Sequence, residues 1–347
     1  MHLQNTKTVM SRKIRILSID GGGIRGIIPA VILNYIEKNL QSRLKNDNVT
    51  LADFFDLIAG TSTGGILACY YLLPPLPGTT RHSRYFAHEA VDMYVNHGKD
   101  IFDQRFLRHG VTKEKYPVAG LEMVLKENMG DTTLAQTRKD CLITAYDITE
   151  RKAVLFTSFD ARKHEHKNFL MRDVARATSA APTYFELASI KSLGGAASHL
   201  IDGAMFAGNP TLCAVVESNK STFGKINNPT IDELYVVSVG TGKENKKYDS
   251  KKAAKWGTIG WVRPIVDILL SASAEVVDYQ LKQLFLVAEC QNCYVRLEPG
   301  IGKAKTEMDN ASKENIRQLK DAGESFIQNN LKKLDEITYQ LIMNNEQ

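Results

Sequence analysis

The sequence predicts an α/β protein built on a parallel sheet, and three stretches carry that prediction. Ile14 to Ile19 is an apolar, β-branched run that leads through Asp20-Gly21-Gly22-Gly23-Ile24-Arg25-Gly26 into apolar residues at helical spacing. Phe55 to Ala59 repeats the plan through Gly60-Thr61-Ser62-Thr63-Gly64 and a helix from Ile66. Leu234 to Val239 is a further strand, closed by Gly240-Thr241-Gly242. Strand, tight loop and helix in that order is the unit from which parallel sheets are wound.

In the first unit, Ile28, Val31, Leu33, Ile36, Leu40 and Leu44 mark the helix, and Pro29 is tolerable in a first turn. Gly21-x-Gly23-x-x-Gly26 formally satisfies a dinucleotide fingerprint, but that site needs an acid at the end of the next strand. Asp47 and Asp53 lie in or beside a polar linker, and Arg25 stands where a pyrophosphate is approached by backbone alone. A dinucleotide-binding oxidoreductase is therefore the weaker reading. Consecutive glycines at a helix start instead leave several N–H groups pointing into one concavity, as an oxyanion hole requires. Gly22, Gly23 and Arg25 are the candidate donors.

The second unit contains Gly-x-Ser-x-Gly between a strand and a helix, the pattern of a nucleophile elbow. Ser62 sits at the bend, and Gly60 and Gly64 remove side chains that would meet the neighbouring strand and helix. A Ser/Thr loop that merely caps the helix has the same composition, so the pentapeptide alone leaves both readings open.

The second helix is stopped by Pro74-Pro75-Leu76-Pro77-Gly78. His82 to Asn96 and Val118 to Asn128 are expected helices, with an aromatic, basic stretch, Phe102 to Tyr116, between them. Cys141 to Ile148 and Ala153 to Ser158 pair as strands, and Phe169 to Ala181 forms a helix ended by Pro182. A short apolar strand then ends at Asp202-Gly203-Ala204. Gly240-Thr241-Gly242-Lys243 lacks the spacing of a phosphate loop. Ile259 to Ala288 is long, apolar and helical, and core packing is expected for it over a membrane or lid role. Cys293 to Leu297 is a last strand, and Ser312 to Met343 is amphipathic helix that either completes the core or mediates homo-oligomer assembly.

A serine nucleophile needs a proton acceptor within reach. The last of the eight histidines is His199, so no histidine follows Asp202. The α/β-hydrolase order of serine, acid, histidine is thus impossible with that acid. Asp147 with His164 or His199 satisfies the order, although His164 and His166 sit in a charged loop. The economical alternative is Asp202 itself as base, unless it only bonds turn amides ahead of Gly203.

Hydrophobic content of 43% and charged content of 24% over 347 residues are those of a globular chain with a sizeable core. Five cysteines, mostly in apolar runs, predict buried thiols in a reducing compartment. Cys290 and Cys293 have no second pair or nearby histidine to hold a metal. Met1 to Val9 has no apolar segment and no apolar run reaches membrane-spanning length, so a soluble chain is expected. The net charge of +5 is concentrated in Lys243, Lys246, Lys247, Lys251, Lys252 and Lys255, a cluster suited to anionic lipid or a nucleotide, or simply a solvated loop. Nothing argues for nucleic-acid binding.

Together these residues resemble the patatin-like phospholipase family. Asp20 to Gly26 is similar to its oxyanion loop, Gly60 to Gly64 to its elbow, and Asp202-Gly203-Ala204 to its dyad motif; Ala177 to Phe185 and Asn209-Pro210 are also similar. The resemblance implies a three-layer α/β/α sandwich with a mainly parallel central sheet over residues 14–300. An extension at 1–13 would precede it, and helices at 301–347 would pack on or extend the same domain. It implies hydrolysis of phospholipid acyl esters by a Ser62–Asp202 dyad, with Gly22, Gly23 and the Arg25 backbone stabilising the oxyanion. No metal or organic cofactor is implied. The chain is also similar to bacterial members that a cyclic nucleotide activates in anti-phage defence, which implies a cytoplasmic protein acting at the inner face of the membrane. A non-catalytic lipid-binding member is the alternative.

Overall fold

The structure is a computed structural model that describes residues 12–102, 114–243 and 248–345. The stretch Phe102 to Tyr116 lies largely outside the described residues, as do Lys246 and Lys247.

The strands are β1 (Ile14–Ile19), β2 (Leu57–Gly60), β3 (Asp140–Asp147), β4 (Lys152–Thr157), β5 (Ala188–Lys191), β6 (Ala197–Asp202), β7 (Thr222–Phe223), β8 (Ile226–Asn227), β9 (Leu234–Val239) and β10 (Tyr294–Leu297). β10, β9, β1, β2 and β3 lie side by side and parallel. β4 and β6 join β3 antiparallel, and β5 joins β6 in the same way. β7 and β8 form a separate small hairpin.

β1, β2 and β9 are buried along their whole length, as strands covered on both faces must be. Alternation divides their side chains between two cores. Leu17, Ile19, Ile58, Val237 and Val239 enter one, whereas Ile14, Ile16, Leu57, Ala59 and Val236 enter the other. Helices supply the opposite wall of each core, which makes the molecule a three-layer α/β/α sandwich around a mainly parallel sheet.

The first core holds helices Ile27–Leu44, Thr63–Tyr71, Ala87–Ile101 and Met171–Thr178. Helices Lys313–Asn329 and Leu331–Met343 pack on Ile27–Leu44 and add Leu319, Leu334, Ile337 and Leu341 to that core. The second core is smaller and holds Thr211–Glu217 and the end of Gly257–Val287.

That long helix departs from the expected core packing. Among its described side chains only Leu281 and Phe285 are fully buried, while Trp261, Ile265, Leu269, Val276 and Tyr279 are exposed. An apolar composition states that a face must be covered and leaves open what covers it.

Candidate active site

The site is organised by one edge of β3. β4 occupies the other edge, from Leu142 to Asp147. On the free edge, Asp140 to Ile143 pair with β2, and Ala145 to Asp147 pair with β6 running the opposite way. Two strands therefore meet end to end along a single neighbour. Gly60 pairs with Ile143 and Asp202 with Ala145, so only Thr144 separates the two C-terminal ends. Gly203 must lack a side chain there, because a Cβ would stand 2.1 Å from Thr144 Oγ1.

Ser62 follows the end of β2 with φ 55° and ψ −125°, a sparsely populated conformation for a non-glycine residue. The surroundings hold it there. Its N–H donates to Thr178 Oγ1 at 2.8 Å, and Ile66 N–H donates to its carbonyl at 3.0 Å. A Cβ at Gly60 would lie 2.2 Å from the Gly64 carbonyl oxygen, and one at Gly64 would lie 2.1 Å from the Ile19 carbonyl oxygen. The bend is thus possible only with both glycines. Helix Thr63–Tyr71 starts directly after Ser62, so its partial positive charge lies beneath the hydroxyl.

Asp202 is buried and shares a side-chain hydrogen bond with Ser62; its Oδ1 accepts the Ala204 N–H at 2.8 Å. Burial raises its carboxyl to about 7, and the two hydrogen bonds oppose that rise. It is therefore poised to exchange a proton near neutrality.

The alternative acid and bases are engaged elsewhere. Asp147 Oδ1 accepts the N–H groups of Thr149 and Glu150 in the β3–β4 turn. His199 is exposed and bonded to Ser189 Oγ at 2.9 Å, and His164 and His166 are exposed and tilted against each other. Asp53, one of the acids considered for a ribose, is paired with Arg138 and His82.

The glycine loop runs alongside Ser62: a Cβ on Gly21 would lie 3.3 Å from Ser62 Cβ. Gly21 N–H donates to the Gly208 carbonyl and Ile24 N–H to the Met308 carbonyl. The Arg25 N–H, expected among the oxyanion donors, goes instead to the Gly22 carbonyl at 3.2 Å, because Gly23 to Gly26 close into a 3-10 turn. Among the described residues no backbone carbonyl takes the N–H groups of Gly22 and Gly23, which leaves these two as the loop's available donors.

Three residues from distant sequence hold this loop. Thr241 Oγ1 donates to the Gly21 carbonyl at 2.6 Å. Arg296 makes a two-pronged ion pair with Asp20, at 3.0 and 2.6 Å, with both side chains nearly buried. Burial pushes the Asp20 carboxyl up to about 6, and the guanidinium opposes that rise. Met308 supplies the carbonyl that fixes Ile24 and lies where a Cβ on Gly23 would go. Sequence reasoning missed all three. Thr241 carried a signal, as a threonine within a glycine loop closing a parallel strand, whereas Arg296 and Met308 carried none.

Ser62, Asp202, Gly22 and Gly23 line one cleft of about 70 Å³. Its remaining walls are mainly apolar and include Ile66, Phe102, Phe185 and Met205. A buried serine beside a buried carboxylate, two backbone N–H groups of the adjoining glycine loop and a mainly apolar wall are a set of parts that acyl transfer from a lipid-like ester would need.

Comparison with known proteins shows which sequences the chain resembles. The family model described as "Patatin-like phospholipase" matches residues 17–215. "Patatin-like protein 2" of Oryza sativa subsp. japonica is 34% identical over 353 residues, covering 93% of this chain and 86% of that protein. "Patatin-T5" of Solanum tuberosum is 33% identical over 350 residues, covering 97% and 89%. "Probable inactive patatin-3-Kuras 1", also of Solanum tuberosum, is 32% identical and covers 98% and 93%.

Proposed function

Since the chain belongs to the patatin-like phospholipase family, a family of lipid acyl hydrolases, we propose that it cleaves acyl esters of membrane phospholipids with Ser62 as nucleophile and Asp202 as base. The observation that carries this reading is that Ser62 and the buried Asp202 carboxyl meet in one mainly apolar cleft, where the Ser62 side chain favours the ionised carboxylate against the effect of burial. Asp202 takes the proton as Ser62 Oγ attacks the ester carbonyl carbon. The tetrahedral oxyanion accepts the N–H groups of Gly22 and Gly23, and their fixed dipoles lower the barrier without reorganisation. Collapse breaks the ester C–O bond and Asp202 returns the proton to the departing alcohol. A water then attacks acyl-Ser62, giving a proton to Asp202; collapse breaks the acyl–Oγ bond, Asp202 returns that proton to Ser62 Oγ, and the fatty acid leaves.

A carboxyl near 7 suits both halves of this cycle, since it exchanges its proton at neutral pH in either direction. The cleft is far below the 300–1,000 Å³ typical of ligand pockets, so acyl-chain entry requires side chains of its wall, such as Phe102 and Phe185, to rotate.

The test is fatty-acid release from phospholipid vesicles by wild type and Ser62→Ala, with fluorophosphonate labelling of both. Release and labelling that disappear together in the variant support the reading. Lipid binding with neither activity would favour a non-catalytic role, which the name of one relative makes worth testing. Gating by a cyclic nucleotide belongs to the same proposal, and release unaltered by any cyclic di- or trinucleotide removes it.

A further inference from the structure

The long helix Gly257–Val287 is built inside out. It spans 31 residues, about 46 Å. Leu281 and Phe285 anchor it to the second core, Phe285 stacking on Tyr294 at 5.7 Å. Glu275, Asp278 and Lys282 of this helix line a groove of about 1360 Å³ against the body of the protein, and Asp278 accepts the Tyr294 hydroxyl at 2.9 Å. Trp261, Ile265, Leu269, Val276 and Tyr279 follow one another at four, four, seven and three residues, which places them on one face. That face points to solvent: the five are 43%, 48%, 44%, 53% and 65% exposed. A stripe this long does not remain in water without a partner.

The residues before the helix identify the partner. Lys251, Lys252 and Lys255 are exposed. Tyr248 lies edge-on to Trp256 at 5.3 Å, and Trp256 edge-on to Trp261 at 4.9 Å. A lysine cluster beside a Tyr–Trp–Trp cluster, at the head of an apolar stripe, matches a bilayer surface. The cations meet anionic headgroups, the rings occupy the headgroup level and the aliphatic side chains enter the acyl boundary. A second copy of the chain would cover the stripe without requiring the lysines. The helix also packs on Ala204–Ala207, the turn that follows Asp202 and contributes Ala204 and Met205 to the cleft.

We infer that the outer face of Gly257–Val287, with Lys251, Lys252 and Lys255, docks on an anionic phospholipid bilayer and brings the Ser62 cleft to its substrate. The inference rests on the proposed lipid hydrolysis. Both tryptophans of the chain, Trp256 and Trp261, lie in this patch, so intrinsic fluorescence reads it directly. Ser62→Ala protein is mixed with vesicles of phosphatidylcholine alone or with added phosphatidylglycerol.

The expected result is a blue-shifted emission with the anionic vesicles, lost in Ile265→Glu/Leu269→Glu. Replacing the three lysines by glutamine should weaken binding by about 100-fold. In the Ser62-intact background, the Ile265/Leu269 variant should hydrolyse vesicle lipid at least about tenfold more slowly, with turnover of a soluble short-chain ester unchanged. Unshifted emission, or a lipid-free dimer that the same substitutions dissociate, overturns the docking inference. Failure of the wild-type protein to turn over the soluble ester, with or without added cyclic di- and trinucleotides, instead overturns the hydrolase reading.

Discussion

Asp202→Asn is expected to inactivate the protein and to stabilise it. Asp202 ionises near 3.8 in the unfolded chain and near about 7 in the folded protein, where burial raises it. Between these values the unfolded chain has released a proton that the folded one keeps. The group's contribution is therefore fully present below pH 3.8 and is lost as pH rises to about 7. A difference of about three units corresponds to about 4 kcal/mol at 1.36 kcal/mol per unit. At roughly 2.1 cal/mol/K per residue, a chain of 347 residues unfolds with an entropy of about 0.7 kcal/mol/K, so about 4 kcal/mol is a Tm shift of about 6 °C. Asparagine keeps the shape: its oxygen can accept the Ala204 N–H, and its amide can donate to Ser62 Oγ. The assay is thermal unfolding of both proteins from about pH 4 to pH 8, with ester turnover over the same range. The variant's Tm advantage should grow with pH and level off above about 7, while wild-type kcat/KM rises about tenfold per pH unit up to the same point. A Tm difference independent of pH, with activity already at its plateau near pH 5, would refute the argument that Asp202 is a desolvated base.

Gly64→Ala places a Cβ 2.1 Å from the Ile19 carbonyl oxygen and should cost at least about 3 kcal/mol in chemical denaturation, whereas Gly300→Ala, which meets nothing within 4 Å, should be nearly neutral. Arg296→Met leaves Asp20 buried without its cation and should lower stability by about 3–5 kcal/mol, measured by guanidinium unfolding at pH 7.5; an unchanged midpoint would show that the pair does not hold the loop. Thr178→Val removes the acceptor of the Ser62 N–H, so the strained bend should relax. Its expected signature is a fall of tenfold or more in kcat, with KM for a soluble ester little changed.

Each site motif was legible because each is local. Ser62 and its two glycines announce a bend between a strand and a helix, and Asp202-Gly203 announces a strand end. That these two ends face one another depends on the β3 register, a property of the whole sheet that no single stretch encodes. The loop's supports were less visible for the same reason. Arg296 is 276 positions from Asp20, and only the parallel pairing of β10 with β9 and β9 with β1 brings them together. Arg25 shows the opposite failure: its position beside the glycines suggested a donor, but the 3-10 turn consumes its N–H. The long helix was misjudged because periodicity finds a stripe without saying which side of the helix faces the protein.

The β3 edge also accounts for the absence of histidine from the proposed dyad. Here β6 runs against β2 along the same edge, so the two chain ends point at each other across Thr144, whose hydroxyl meets Thr61 Oγ1 at 2.7 Å. The carboxylate then reaches the serine directly, and the Ala204 N–H orients it in place of a third side chain. Direct contact has a consequence for the base. An aspartate ordinarily ionises near 3.8 and would be too weak a proton acceptor, but burial raises Asp202 to about 7, into the range in which an imidazole would otherwise work. In the proposed dyad, desolvation in the apolar cleft takes the place that a histidine has in a triad, and the same burial creates the stability deficit that Asp202→Asn should relieve.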